Sequence, residues 1–126
     1  MKQYNAKNIR NVALVGHAGT GKTTLAEAML YLSGATDRLG RVDDGTTVCD
    51  FDPEEIKRKA SVSMSVAPIE WKNTKINILD TPGLFDFSGG VSEGIRAAAS
   101  VVITVSAKSG VAVGTEKGFK AATQKG

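Results

Sequence analysis

The chain has 126 residues, with 16 Lys and Arg against 13 Asp and Glu and a net charge of +3, and we expect one domain at this length. Its 41% apolar and 23% charged residues exclude a disordered acidic tail and a collagen-like repeat. A single cysteine and a single histidine exclude an internal disulfide and a Cys/His metal cluster. No apolar run is long enough for a signal peptide or a membrane span. We therefore expect a cytoplasmic protein without membrane contact.

The chain begins with a strand and a helix. A short apolar run over residues 9–15 predicts a buried strand that ends at Gly16. After a glycine-containing turn, apolar residues recur at helical spacing over residues 22–32, which predicts a helix. Residues 34–60 are interrupted by glycine, proline and acidic residues, and we expect a long irregular loop of the kind that is usually functional.

The second half of the chain alternates strands and helices. Residues 61–71 and 76–79 predict strands, and residues 101–105 predict a buried strand rich in β-branched side chains. Helices are predicted over residues 91–99 and 115–123. This order predicts an α/β fold with a mostly parallel sheet.

A phosphate-binding motif lies between the first strand and the first helix. Residues 16–23 read Gly-His-Ala-Gly-Thr-Gly-Lys-Thr, which matches glycine, four residues, and Gly-Lys-Ser/Thr. Backbone N–H groups of such a turn surround an anion, Lys22 can bridge the β- and γ-phosphates, and the Thr23 hydroxyl can bind Mg²⁺. For His17 a structural or backbone role is favoured over a catalytic one. The predicted nucleotide contacts here are Gly16, His17, Ala18, Gly19, Thr20, Gly21, Lys22, Thr23 and Thr24.

A second motif follows the strand at 76–79. It reads Asp80-Thr81-Pro82-Gly83, a common turn when it stands alone. Downstream of a phosphate loop, however, a strand-end Asp is placed to hold Mg²⁺, and Gly83 can offer its N–H to the γ-phosphate. We therefore predict that all four residues contact the nucleotide, with Lys22 and Gly83 as the catalytic pair.

These motifs together resemble the GTPase domain of translation elongation factor G. The similarity is carried by Gly16-His17 with Gly21-Lys22-Thr23-Thr24, by residues 76–83, and by Asp86-Phe87, and it extends from about Asn8 to the end of the chain. The resemblance implies the three-layer P-loop NTPase fold, with residues 1–126 as the N-terminal portion of a translational-type GTP-binding domain that stops before its last strands. It also implies GTP as substrate, GDP as product, Mg²⁺ as cofactor, the ribosome (rRNA and ribosomal proteins) as partner, and a monomer.

The resemblance assigns two switch segments. Residues 34–60 are similar to switch I, and the Mg²⁺-binding threonine of the family falls on Ser61, so the implied metal ligands are Thr23, Ser61 and Asp80. Residues 83–94 are similar to switch II, but the water-orienting histidine of the family is replaced by Leu84. Together with residues 58–61 in place of Arg-Gly-Ile-Thr, this favours an elongation factor G-like paralogue. Gly19 stands in place of an aspartate of the family, a difference that bears on cation binding near the phosphates.

Three functions therefore remain open at the level of sequence. The favoured one is Mg²⁺-dependent GTP hydrolysis coupled to action on the ribosome. Because leucine cannot hydrogen-bond a water, the alternative is a nucleotide-gated ribosome-binding module with little hydrolysis. The Asn-Lys-x-Asp motif that reads guanine in such GTPases is absent from the sequence, so an ATP-using P-loop protein is the third.

Overall fold

The computed structural model describes residues 2–50, 52–58, 63–83 and 88–125. A short 3-10 turn at Ala6–Asn8 precedes the first strand. The strands are β1 (Ile9–Gly16), β2 (Ser65–Trp71), β3 (Thr74–Asp80) and β4 (Ser100–Thr104), and the helices are α1 (Lys22–Leu32), α2 (Pro53–Arg58), α3 (Ser88–Ala97) and α4 (Val113–Lys125). No helix within the described ranges combines the length and the apolar character that a bilayer crossing needs.

The described strands form one sheet in the order β2-β3-β1-β4. β1 pairs in parallel with both β3 and β4, whereas β2 pairs antiparallel with β3 through a tight hairpin. The two residues of its turn, Lys72 and Asn73, have φ of 47° and 61°, the left-handed conformation that a two-residue hairpin requires. The predicted mostly parallel α/β sheet is confirmed.

Helices cover both faces of the sheet because β1 and β3 point apolar side chains to each side in turn. On one face, Leu14 and Ile78 pack with Ala26 and Leu30 of α1. On the other face, Ala13, Val15 and Leu79 pack with Ile95 and Ala98, and with Ala121 of α4. This arrangement gives the three layers expected of the P-loop fold.

Several predicted boundaries were wrong. β2 begins at Ser65, which pairs with Asp80, the last residue of β3, and the described residues 63 and 64 before it are not in a strand; residues 61 and 62 of the predicted strand lie outside the described residues. Residues 34–60 contain the helix α2, which has a proline at its first position and two glutamates in its first turn. α3 begins at Ser88, earlier than predicted, since Gly89 and Gly90 lower helix propensity without preventing a helix that packs on the sheet.

Candidate functional site

The glycine-rich turn lies where the parallel strand β1 ends and α1 begins, which is the position where open α/β sheets bind ligands. Gly21 precedes the first helical residue with a φ of 88°, a conformation that residues with a Cβ rarely adopt. Gly21 has no side chain with which to cap the helix. An anion at this point would be bound by N–H groups and by the helix dipole.

The loop is closed around the carbonyl oxygen of His17. Lys22 Nζ donates to that oxygen at 3.0 Å, and Thr20 Oγ1 donates to it at 2.7 Å. Lys22 is only 6% exposed, and its burial lowers the pKa of the ammonium group, against the opposing effect of the nearby Asp80 and Asp50 carboxylates. The lysine is thus a desolvated cation held inside the loop.

The two sequence motifs meet at a single hydrogen bond. Thr23 Oγ1 donates to Oδ2 of Asp80 at 2.6 Å, which joins the start of α1 to the end of β3. Asp80 is fully buried, and its other carboxylate oxygen, Oδ1, has no hydrogen-bond partner among the described residues. Burial, with a smaller repulsion from Asp50, raises the pKa of Asp80 to about 6, although Thr23 and Lys22 act in the opposite direction. A hydroxyl beside an unsatisfied carboxylate oxygen fits Mg²⁺, which prefers oxygen ligands.

Gly83 lies directly against the phosphate loop. A Cβ at this position would collide with Nζ of Lys22 and would come within 2.8 Å of the backbone N and Cα of Ala18. Only glycine allows this close approach, so the backbone of residue 83 shares a space with the buried lysine. The predicted catalytic pair is therefore in contact.

Other predicted site residues have different surroundings. Thr81 is buried, and its hydroxyl donates to the carbonyl oxygen of Leu14 at 2.6 Å, which ties the end of β3 to β1. Pro82 is fully buried, and Thr24 is exposed on α1. The roles of these three residues in nucleotide binding stay predictions. The predicted Mg²⁺ ligand Ser61, together with Leu84, Asp86 and Phe87, lies outside the described residues.

The loop makes one contact with β4 and one with α4 whose partners were not predicted, although a structural or backbone role was favoured for His17. Thr104, the last residue of β4, has its Oγ1 at 2.7 Å from Oγ1 of Thr20. The imidazole Nδ1 of His17 accepts the backbone N–H of Gly114 in α4 at 3.2 Å. The position of Thr104 could have indicated the first contact, because the carboxyl ends of parallel strands meet at one edge of a sheet.

A third unpredicted element is the buried carboxylate of Glu27. One turn after Thr23 on α1, Glu27 accepts the backbone N–H groups of Val48 and Cys49 at 2.6 and 3.2 Å. Ser65 donates to the carbonyl oxygen of Cys49, so this segment is held from both α1 and β2. Asp50, which follows it, is 4% exposed and contributes negative charge near Lys22 and Asp80. The spacing of four residues places Glu27 on the same face of α1 as Thr23. Nothing in the sequence, however, indicates which backbone groups the Glu27 carboxylate binds.

The mostly parallel sheet, the glycine-rich loop that follows its first strand, and the helices on both faces define a P-loop nucleotide-binding protein. Residues 7–126 match the family model described as the elongation factor Tu GTP binding domain. The chain belongs to this family of GTP-binding translation factor domains, whose members generally use GTP with Mg²⁺. The predicted resemblance to elongation factor G is thereby confirmed at the level of the family.

Named relatives share this part of the sequence. The chain is 43% identical over 118 residues to an elongation factor G-like protein of Mycobacterium tuberculosis, covering 94% of the chain and 16% of that relative. It is also 43% identical over 114 residues to the mitochondrial ribosome-releasing factor 2 of Scheffersomyces stipitis, covering 90% of the chain and 14% of that relative. The chain therefore spans about a sixth of the length of these relatives.

Solved structures agree with the fold. A crystal structure of a protein from Thermus thermophilus superimposes with a TM-score of 0.90 at 46% identity, covering 92% of the chain and 18% of that protein. A bacterial selenocysteine-specific elongation factor superimposes with a TM-score of 0.71 at 27% identity, covering 90% of the chain and 17% of that protein.

Proposed function

We propose that this chain provides the GTP-binding and GTP-hydrolysing part of an elongation factor G-like protein that acts on the ribosome, with residues 1–126 as the N-terminal portion of its translational-type GTP-binding domain. The observation that carries the proposal is the 2.6 Å hydrogen bond between Thr23 and Asp80, which brings the two phosphate and metal motifs to one point. The names of the relatives, an elongation factor G-like protein and a ribosome-releasing factor, support a role in translation.

In this proposal Lys22 and the backbone N–H groups of residues 19–24 neutralise the charge that develops on the phosphates. Thr23, Asp80 and Ser61 would hold Mg²⁺, which would supply positive charge to offset that of the phosphates. Gly83 offers its N–H to the γ-phosphate because no side chain separates it from Lys22. Catalysis of this kind depends on positioning and electrostatics, so it requires no covalent nucleophile.

Single-turnover release of phosphate from GTP by the full-length gene product, with and without ribosomes, tests the proposal. Stimulation by ribosomes is the expected result. Slow release that ribosomes do not accelerate would favour the nucleotide-gated binding module, the alternative that Leu84 motivates. Competition between GTP and ATP for the same protein decides the nucleotide, and a preference for ATP would contradict the proposal.

We propose further that the protein acts in the cytoplasm as a monomer. Cys49 is buried and is the single cysteine of the sequence, so the fold uses no internal disulfide, as is usual in a reducing compartment. The mitochondrial relative shows that the family is not restricted to one compartment, so fluorescence imaging of the tagged gene product and its mass in solution are the tests.

A further inference from the structure

The end of the sheet opposite the phosphate loop carries a concentration of positive charge. β1 begins there, and the turn of the β2–β3 hairpin lies beside it, because Ile9 pairs with Lys75. Since β1 has eight residues, this end lies about 23 Å from the phosphate loop. We call this surface the basic edge, and its cations are Lys2, Lys7, Arg10, Lys72 and Lys75.

The charge of the basic edge exceeds that of the whole chain. Within residues 2–10 and 70–75 there are five cationic side chains and one acidic side chain, Glu70, so the edge has a charge of +4. The whole chain has +3, and all other residues together therefore carry −1. Four of the five cations are exposed, and Lys75 is half-buried. In the described part of the chain, no ion pair neutralises any of these cations.

Hydrogen bonds join the two parts of the basic edge into one surface. Lys2 Nζ donates to Oδ1 of Asn73 at 3.4 Å, and the Tyr4 hydroxyl donates to Oε2 of Glu70 at 2.7 Å. In the second bond, the carboxylate of Glu70, the single acidic side chain of the edge, accepts from the neutral hydroxyl of Tyr4. The N-terminal segment and the hairpin are thus held together. Lys2 and Arg10 donate to neutral acceptors, Arg10 to the carbonyl oxygens of Lys7 and Ile9, so their charges are not cancelled by these bonds.

The basic edge also contains groups that recognise nucleobases. A cavity of about 400 Å³ lies between the N-terminal segment and the hairpin, and it is lined entirely by polar side chains: Gln3, Tyr4, Asn5, Asn8 and Asn73. Their amides can donate to and accept from base edges. The indole of Trp71, at the end of β2, lies on the face of β2 opposite Glu70, where it lines an apolar pocket with Ile69 and Ile76. It is 44% exposed, so a base of a strand that follows the edge round to this face can stack on it.

We propose that the basic edge binds a single-stranded segment of RNA. The lysines and Arg10 contact phosphates, the amides of the cavity contact base edges, and Trp71 stacks on a base. An acidic protein shares the charge complementarity but has no bases for the indole to stack on, and polyglutamate represents this alternative in the test below. The inference goes beyond the proposed function because it requires neither GTP nor any residue of the phosphate loop.

Fluorescence anisotropy of a short fluorescein-labelled single-stranded RNA, titrated with the full-length gene product, tests the inference. The variant is Lys72→Glu combined with Lys75→Glu. The matched control is Lys108→Glu combined with Lys120→Glu, which makes the same change of charge at exposed positions away from the edge. We expect the edge variant to lose RNA affinity roughly tenfold or more, with a shallower dependence on salt, and the control to change less than about threefold.

GTP affinity is measured on all the proteins, and we expect it to be unchanged, so that failure of the RNA inference and failure of the proposed function are distinguishable. Equal losses of RNA affinity in both variants, or none in either, would overturn the inference, as would binding of polyglutamate as tightly as RNA. Ultraviolet crosslinking of the unmodified protein to the same RNA provides a second readout that does not depend on a variant. We expect the crosslinked peptide to contain Trp71, and crosslinks confined to other regions would contradict the proposal.

Discussion

The hydroxyl of Thr23 and the carboxylate of Asp80 form a buried hydrogen bond of 2.6 Å between residues that are 57 positions apart in sequence. It arises because β1 and β3 are parallel neighbours, so that the segments following them emerge at the same edge of the sheet. The fold thereby places a hydroxyl, a carboxylate and the buried ammonium of Lys22 around one small space. Each of these groups has a testable consequence.

Lys22→Ala should reduce the affinity for GTP by roughly 100-fold or more, because it removes a buried cation from the space between the two motifs. The fold should persist, since the Lys22 side chain contacts the loop and not either apolar core. Calorimetric titration of the full-length gene product with GTP measures the loss. Lys57→Ala, at an exposed position on α2, is the control. Unchanged affinity in the Lys22 variant would refute its phosphate role.

The position of this site could be predicted because each of its two motifs is local in sequence. The loop and α1 (Lys22–Leu32) agree with the prediction because a glycine-rich motif and a regular apolar repeat specify both. By contrast, α2 (Pro53–Arg58) was missed because only six residues form it, although Asp52 Oδ1 accepts the N–H of Glu54 at 2.8 Å as an N-cap does. The contact of Thr104 with Thr20 was missed because it depends on β4 lying beside β1 in the sheet, and the sequence does not show the order of the strands.

Thr23→Ala should weaken only the Mg²⁺-dependent part of GTP binding. The substitution removes a hydroxyl that fits the metal and leaves Lys22 and the loop backbone in place. Comparing GTP affinity in Mg²⁺ with that in EDTA isolates this part, and we expect a loss of roughly tenfold or more in Mg²⁺. Thr123→Ala, at an exposed position on α4, should change neither value. A loss of equal size in EDTA would contradict a metal role for Thr23.

Mg²⁺-dependent GTP binding should weaken at acidic pH. Burial raises the pKa of Asp80 to about 6, and Mg²⁺ competes with the proton for the carboxylate. Below pH 6 the Mg²⁺-dependent affinity should therefore fall, approaching about tenfold per pH unit. The raised pKa means that the nucleotide-free fold binds this proton more tightly than the unfolded chain. The stability contribution of Asp80 should therefore increase as the pH falls through 6, opposite in sign to the binding effect.

The Asp80→Asn variant separates this titration from that of the nucleotide. GTP has its own phosphate protonation, which affects the variant and the unmodified protein equally. GTP binding by the variant in Mg²⁺ should be weak. Its dependence on pH should lack the part that the titration of Asp80 contributes. Parallel pH profiles for the two proteins would show that Asp80 is not the group that titrates.

Gly83→Ala should selectively weaken binding of GTP relative to GDP. The new Cβ would meet Lys22 Nζ and the backbone of Ala18, so the Gly83 N–H would be displaced from the position where it can reach a γ-phosphate. Gly89→Ala is the matched control, because a Cβ at Gly89 meets no atom within 4 Å outside its own helical turn among the described residues. Competition assays with both nucleotides measure the ratio. A loss that is equal for GTP and GDP would argue against a γ-phosphate contact at Gly83.

Glu27→Ala should release the segment that contains Val48 and Cys49. Both backbone N–H groups would lose their carboxylate acceptor, at a local cost of roughly 2–4 kcal/mol. Hydrogen–deuterium exchange at these two amides should accelerate, while exchange in α4 stays constant. Glu27→Gln keeps a side-chain oxygen that can accept these bonds, so it should restore much of the protection. Glu116→Ala, at an exposed position on α4, controls for the loss of a glutamate from a helix. Protection of the two amides that survives in the Glu27→Ala variant would show that other contacts hold the segment.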